Sequence, residues 1–353
     1  MDAPSARRYP FLLALAVLLA VVALFRFVEF DWYCFDKSPI AEGYPDFSII
    51  GWARFAVLVL CSFSLALLFA GITSIRTFLG EGKESRPVHL TGYAIGLLSI
   101  FFALLLVIAP RRFNVLSHED SLVEWGSFAF LIISSLLFTV AAFRCRRPVG
   151  QRFPWAAATC AAFAFAFFFI GMEEASWFQR QAEFKTPGLL FEGNIQEEFN
   201  FHNFFTVGFE ILYYFGTFVF FVGLPFLRVV FSDWVERNPY FNTFAPEPFM
   251  AALGAMSCGY NFEMWNILSI QICFVGTIVV LGFFMRFCRR LSDRILILFT
   301  GAVLATTQWV FLISKTRYER IWEVTEYKEL FITIGFVVYA VSTFRKIQQS
   351  RAS

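Results

Sequence analysis

Charge is scarce in this chain. Asp, Glu, Lys and Arg make up 16% of its 353 residues, and histidine occupies three positions, His89, His118 and His202. With a net charge of +2 and no long basic tract, it offers nothing that would attract a nucleic acid. The seven cysteines are scattered and show neither CxxC nor zinc-ribbon spacing. Only Cys34 and Cys258 fall near one predicted face, where a disulfide between them is an open pairing. Internal repeats and low-complexity linkers are missing too, and the loops predicted to lie outside the cell carry no Asn-x-Ser/Thr sequon.

Apolar side chains fill the space that charge leaves. Hydrophobic residues reach 58% and the mean hydropathy is +0.63, which excludes an ordinary soluble domain. A helix needs about 20 mainly apolar residues to cross a hydrocarbon core. Ten segments meet that pattern: Tyr9 to Val28, Ser48 to Ile72, Leu90 to Pro110, Leu122 to Phe143, Pro154 to Met172, Asn203 to Val230, Tyr240 to Cys258, Met264 to Arg286, Asp293 to Ser314 and Glu329 to Phe344. The fold expected is all-α, a polytopic integral membrane bundle of about ten transmembrane helices, with residues 1–353 forming one domain.

The charged residues sort across those segments. With the N-terminus in the cytoplasm, 18 of the 29 Lys and Arg residues fall inside, as the positive-inside rule asks. Of the 27 acids, only Asp2, Glu81, Glu84, Asp233, Glu236, Glu247 and Asp293 fall with them. The seventh segment matters here, because without it the basic clusters around Arg237 and Arg289 would sit on opposite sides. Both termini are then cytoplasmic, and a bacterial inner membrane is the expected location. The Arg7-Arg8 pair before an apolar run also resembles a signal peptide, but Val21-Val22-Ala23 makes a poor cleavage site, so the first helix is expected to stay.

Fifty phenylalanines leave two readings open, ordinary packing against lipid and neighbouring helices or an aromatic-lined pocket for an acyl chain, isoprenoid or pigment.

The acidic outer loops hold the candidate chemistry. The longest, about residues 173–203, exceeds what a simple connection needs, and loops of that length are usually functional or disordered. It opens Glu173-Glu174-Ala175-Ser176-Trp177-Phe178-Gln179-Arg180; on a helix, Glu173, Trp177 and Arg180 would share one face, either as an interfacial salt bridge beside a belt tryptophan or as a site. It closes with Gln196-Glu197-Glu198-Phe199-Asn200-Phe201-His202-Asn203. There Glu198 and His202, at i and i+4, can reach one ion or simply complement a helix start. A third cluster, His118-Glu119-Asp120-Ser121-Leu122-Val123-Glu124-Trp125, places Glu124 inside a predicted span, where an ionisable group is costly and needs a partner. Glu210 fits the same description. The stretch Arg317 to Glu329 alternates charge at helical spacing and reads most simply as an amphipathic helix on the surface. Asn266 and Gln271 read as hydrogen-bonding glue between helices.

Glu-Glu-x-Ser-Trp-x-Gln-Arg at Glu173 to Arg180, followed by Gln-x-Glu-x-Asn-x-His-Asn at Gln196 to Asn203, resembles a family of uncharacterised bacterial multi-pass membrane proteins. In that pattern the residue after Trp is usually Gly, whereas Phe178 stands here. Glu119 to Trp125 resembles a further element of the family. The resemblance implies that these clusters belong together and brings no activity with it.

Three classes of function remain. The first is an enzyme whose outer face binds zinc, iron or manganese through His118, Glu119, Asp120, Glu198 and His202, with Glu173, Glu174, Glu124 and Arg180 serving chemistry on a lipid or lipid-linked substrate. The second is a structural or assembly subunit of a larger membrane complex. The third is a proton or cation transporter, against which stands the near absence of acids from the inner halves of the helices. Membrane lipids are the expected partners, with other membrane subunits in the second case and no nucleic acid in any.

Overall fold

The computed structural model describes residues 8–35, 42–72, 85–118, 120–145, 155–183 and 206–352. Among them there is no strand. In hydrocarbon every backbone N–H and C=O must be satisfied within the chain, and a helix does this segment by segment. The long helices are α1 (Arg8–Phe35), α2 (Ile49–Ile72), α3 (Ser85–Ile108), α5 (Leu122–Cys145), α6 (Ala156–Glu174), α8 (Thr206–Phe218), α13 (Leu268–Phe287), α14 (Leu291–Ile313) and α15 (Glu323–Ala352). Helix α8 continues through a π-helical turn, Val219–Gly223, into α9 (Leu224–Val230). Short helices α4 (Pro110–Leu116), α7 (Gln179–Ala182), α10 (Ser232–Arg237), α11 (Pro239–Phe244) and α12 (Met250–Leu253) fill the connections. Eight of these helical stretches are long and apolar enough to cross a membrane, and α1, with 28 residues, has the length as well.

The bundle has a basic end and an acidic end. At the basic end Lys346 pairs with Glu247, Arg228 reaches Glu247 at 3.3 Å, Arg144 lies over the Phe344 ring and His89 meets Asp293 at 2.9 Å. At the acidic end Gly43 N donates to Glu263 O, Tyr327 donates to Phe113 O, and Gln181 donates to Asp120. Helices α8–α9 and α13 run parallel: Tyr214 O lies beside Cys273 Sγ, and twelve residues on the Phe226 ring packs 4.9 Å from that of Phe283. Two parallel helices in sequence require the chain between them to cross back.

That return is the seventh crossing, and it is not the helix expected over Tyr240 to Cys258. Pro239, Pro246 and Pro248 cannot donate to a helical ladder and Gly254 and Gly259 weaken one, so the run breaks into α11, α12 and a 3₁₀ turn, Ala255–Cys258. Every residue from Met250 to Trp265 is buried. Irregular backbone at membrane depth survives only inside protein, and here side chains replace the missing ladder. Asn261 N donates to Gln308 Oε1 at 3.0 Å and Gln308 Nε2 returns a bond to Asn261 O at 2.6 Å. Asn261 Nδ2 donates to Cys258 O at 3.1 Å. Because the chain does cross, Arg237 and Arg289 share the basic end, as the charge pattern requires. Cys258 is a free, buried thiol, so the Cys34 to Cys258 disulfide does not form.

Below the acidic end the bundle closes on aromatic rings. Phe221, fully buried, sits between two glycines: a Cβ at Gly254 would lie 2.6 Å from the Phe221 side chain and one at Gly335 2.7 Å from its ring. Phe336 and Tyr339 complete the layer with Phe220. The Phe-rich run from Phe163 divides as helical spacing dictates: Phe163 and Phe167 stack on Phe138 in the core while Phe165 stays 68% exposed on the outer surface. Helices α1 and α2 form a pair at the side, joined by the Arg54–Asp31 ion pair at 2.6 Å and by Leu24 and Leu58 packed on Val275.

Candidate functional site

Lys328 is the centre of the acidic end. It enters six residues into α15, roughly 8 Å along the helix from its first residue, and is 1% exposed. An ammonium here costs on the order of 3 kcal/mol or more unless it finds partners. Its Nζ donates to Asn261 Oδ1 at 2.5 Å and stands 3.9 Å from the centre of the Tyr214 ring, a hydrogen bond and a cation–π contact. The broken crossing therefore supplies the acceptor, and α8 the ring. The surface amphipathic helix expected over Arg317 to Glu329 is corrected at this point. Lys315–Arg317 is a short 3₁₀ turn, and Glu323 through Leu330 dive into the bundle with Glu323, Tyr327 and Lys328 buried.

Carboxylates surround the amine. Glu263 and Glu210 lie within electrostatic range of Lys328, and Glu210 also of Glu329 and Glu42. Glu329 accepts a 2.8 Å hydrogen bond from the Tyr214 hydroxyl, so one tyrosine touches both the cation and an acid. Glu263, in the connection Gly259–Ile267 at the acidic end, is 1% exposed with Oε2 making no hydrogen bond. Burial pushes its carboxyl up to about 8, Glu42 adding to the rise and Lys328 opposing it. An ammonium, a phenol and acids of differing environment thus lie close together, the kinds of group that proton transfer or anion holding would use.

The sequence-expected residues sort as follows. Glu173 is buried at the end of α6 and accepts from Trp177 Nε1 at 2.6 Å, so acid and indole do meet. They meet across a break and not on one helical face: α6 stops at Glu174, and Ser176, Trp177 and Phe178 take φ values of 43°, 52° and 58°. Three consecutive left-handed non-glycine residues store about 1 to 2 kcal/mol each, strain that tends to sit at functional turns. Phe178, where the resembling pattern has Gly, packs its ring on Trp125 and Phe128. Glu174 lies in range of Glu329, Glu326, Glu124 and Glu173, joining the motif to the carboxylates around Lys328. Glu124, in the first turn of α5, accepts a short bond from Asp120 N, and Asp120 Oδ1 accepts from Gln181 Nε2 at 3.0 Å. Arg180 belongs to α7, with its side chain outside the description; Glu119, Glu198 and His202 lie outside the described residues.

The expected metal set changes membership. His118 does not gather with Asp120 but with Glu319 and Glu323, whose ligand atoms all lie within 4.8 Å of one another. His118 Nε2 is 3.8 Å from Glu319 Oε2, and Glu323 Oε1, fully buried, makes no hydrogen bond, with Arg320 Nε 3.7 Å away. One imidazole and two carboxylates suit zinc, iron or manganese by donor type. The sequence pattern assigns no site role to Lys328, Asn261, Gln308 or Tyr214, and does not link Glu319 to His118. An Asn three residues after Cys258, within a Gly-rich break, was the available signal for the crossing.

Compared with protein-family models, with curated proteins and with solved structures, the chain matches none. The chain is an integral membrane protein of helical architecture with an acidic and histidine-bearing cluster at one end, and its site is read from its own geometry.

Proposed function

We propose that this protein is a membrane-embedded enzyme that works from its acidic end on a lipid or lipid-linked substrate. One observation carries the reading: a buried lysine, with a tyrosine and several acids beside it, lies at one end only of a bundle whose next layer is sealed by Phe221, Phe336 and Tyr339. Ionisable groups at membrane depth are retained where they act on something, and a site reached from one side suits turnover better than passage. Lys328 anchors or protonates an anionic group, and the Tyr214–Glu329 pair moves a proton. A divalent ion held by His118, Glu319 and Glu323 would supply an activated water. The positive-inside bias supports a cytoplasmic basic end, and in this reading the site faces outward from a bacterial inner membrane.

The test compares lipids extracted from membranes holding the wild type or Lys328→Met. A lipid species consumed or formed only with the wild type supports the reading, and identical profiles at equal protein level overturn it. Transport is the second reading, favoured by the discontinuous crossing Met250–Cys258, because broken segments often frame carrier sites. Proton or cation flux into proteoliposomes that disappears in Lys328→Met would select it.

A further inference from the structure

We propose that a cavity at the acidic end, between α2, α13 and α14, binds the neutral polar end of a membrane amphiphile, a single ring or short branched chain carrying a hydroxyl group. The cavity measures about 190 Å³ and is walled by Phe47, Trp52, Trp265 and Trp309, with Gln271, Gln308 and Asp46 as its polar groups. For scale, a cavity of about 150 Å³ admits a benzene.

Gln271 points to the ligand. It is 2% exposed, lines the cavity, and its side-chain oxygen has no hydrogen-bond partner, so it does not act there as glue between helices. An unmet buried amide oxygen destabilises the fold, and a donor arriving from the cavity removes that cost. Neutrality follows from the lining. Among the described residues no Lys or Arg contributes, and the one charged residue is Asp46, which repels an anion. The approach is lateral: Phe47, Trp52 and Trp309 are each nearly half exposed at the bundle surface. Tryptophan at that position is at home at the boundary of a bilayer.

The cavity also touches the Lys328 site. Gln308 forms part of its wall and holds Asn261 in both directions, its Oε1 accepting from Asn261 N and its Nε2 donating to Asn261 O, and Asn261 Oδ1 accepts from Lys328. A lipid seated with its hydroxyl on Gln271 lies one side chain from the network that ends on the amine. Binding stands on the cavity alone; naming the bound molecule a substrate rests on the enzyme reading above.

The experiment uses 4-bromophenol and bromobenzene as probes, with quenching of tryptophan fluorescence by bromine as the readout on the full chain in detergent, both corrected for partition into micelles. The wild type is expected to show saturable quenching, with the phenol bound about tenfold more tightly, the factor expected for one net hydrogen bond. In Gln271→Leu, which removes an unsatisfied polar atom at similar volume and so keeps the fold, the preference collapses to within about twofold. In Ala305→Phe the new ring fills the cavity and saturation disappears. Quenching that never saturates in the wild type, or a phenol preference unchanged in Gln271→Leu, overturns the proposal. Saturable binding as described together with unaltered lipids in Lys328→Met membranes leaves the pocket standing and removes the enzyme reading alone.

Discussion

The amine of Lys328 stands 3.9 Å from the centre of the Tyr214 ring, while the hydroxyl of that same ring donates to Glu329 at 2.8 Å. One phenol therefore sits between a buried cation and a half-buried acid from adjacent positions of α15. Losing the cation leaves Asn261 Oδ1 and the nearby carboxylates without it, and breaking a buried charge set typically costs about 3 to 5 kcal/mol. Lys328→Met should lower the thermal midpoint markedly, and adding Glu263→Gln should recover part of the loss. A double mutant with strictly additive losses in an unfolding titration would contradict a coupled site.

Glu263 makes stability depend on pH. Its carboxyl titrates near 8 in the folded chain and near 4.5 when unfolded, so the folded state holds the proton more tightly. The stabilisation is complete below about pH 4.5 and is lost as pH rises to about 8. Glu42, Lys328, Glu210, Thr325, Tyr318 and Tyr214 are the groups that face it. Thermal midpoints measured across that window should fall with rising pH in the wild type more steeply than in Glu263→Gln. Equal slopes would remove Glu263 as the cause.

Phe221 and its two glycines form one packing unit. Phe221→Ala should cost about 3 to 5 kcal/mol as a core cavity. Gly254→Val should also destabilise, because its side chain enters the space that Phe221 fills. Combined, the two changes should cost less than their sum, since each relieves what the other creates. Denaturant unfolding of the three variants checks this.

The triad of His118, Glu319 and Glu323 predicts bound metal. Protein purified without chelator should carry a transition metal near one equivalent by elemental mass spectrometry, and His118→Ala or Glu319→Gln should lose most of it. Metal retained in both variants would place the ion elsewhere.

Much of the fold was legible because hydrophobic length and charge bias are properties of the chain itself. The crossings, their alternation and the shared side of Arg237 and Arg289 all follow from them. The seventh crossing kept its direction but not its helix: hydropathy registers burial, and only the prolines and glycines register the break. The site was harder to read. Charges at helical spacing from Arg317 to Glu329 look the same on a wet surface as inside a bundle, and only Asn261 and Tyr214, distant in sequence, distinguish Lys328. His118 stands out in the sequence by its scarcity beside acids, yet the acids nearest to it in space, Glu319 and Glu323, come from a segment two hundred residues away. Glu173 and Trp177 meet as their spacing suggests, through a left-handed turn that no helical wheel contains.

Reconstituting the purified protein in nanodiscs made from a bacterial lipid extract, and following every lipid species by mass spectrometry over time, tests the central claim most directly. The wild type should convert at least one species, and Lys328→Met should convert it at least about a hundredfold more slowly while remaining folded, the scale for losing one positioned acid–base group. No conversion by folded wild-type protein, or equal conversion by Lys328→Met, would contradict an enzyme built around that lysine.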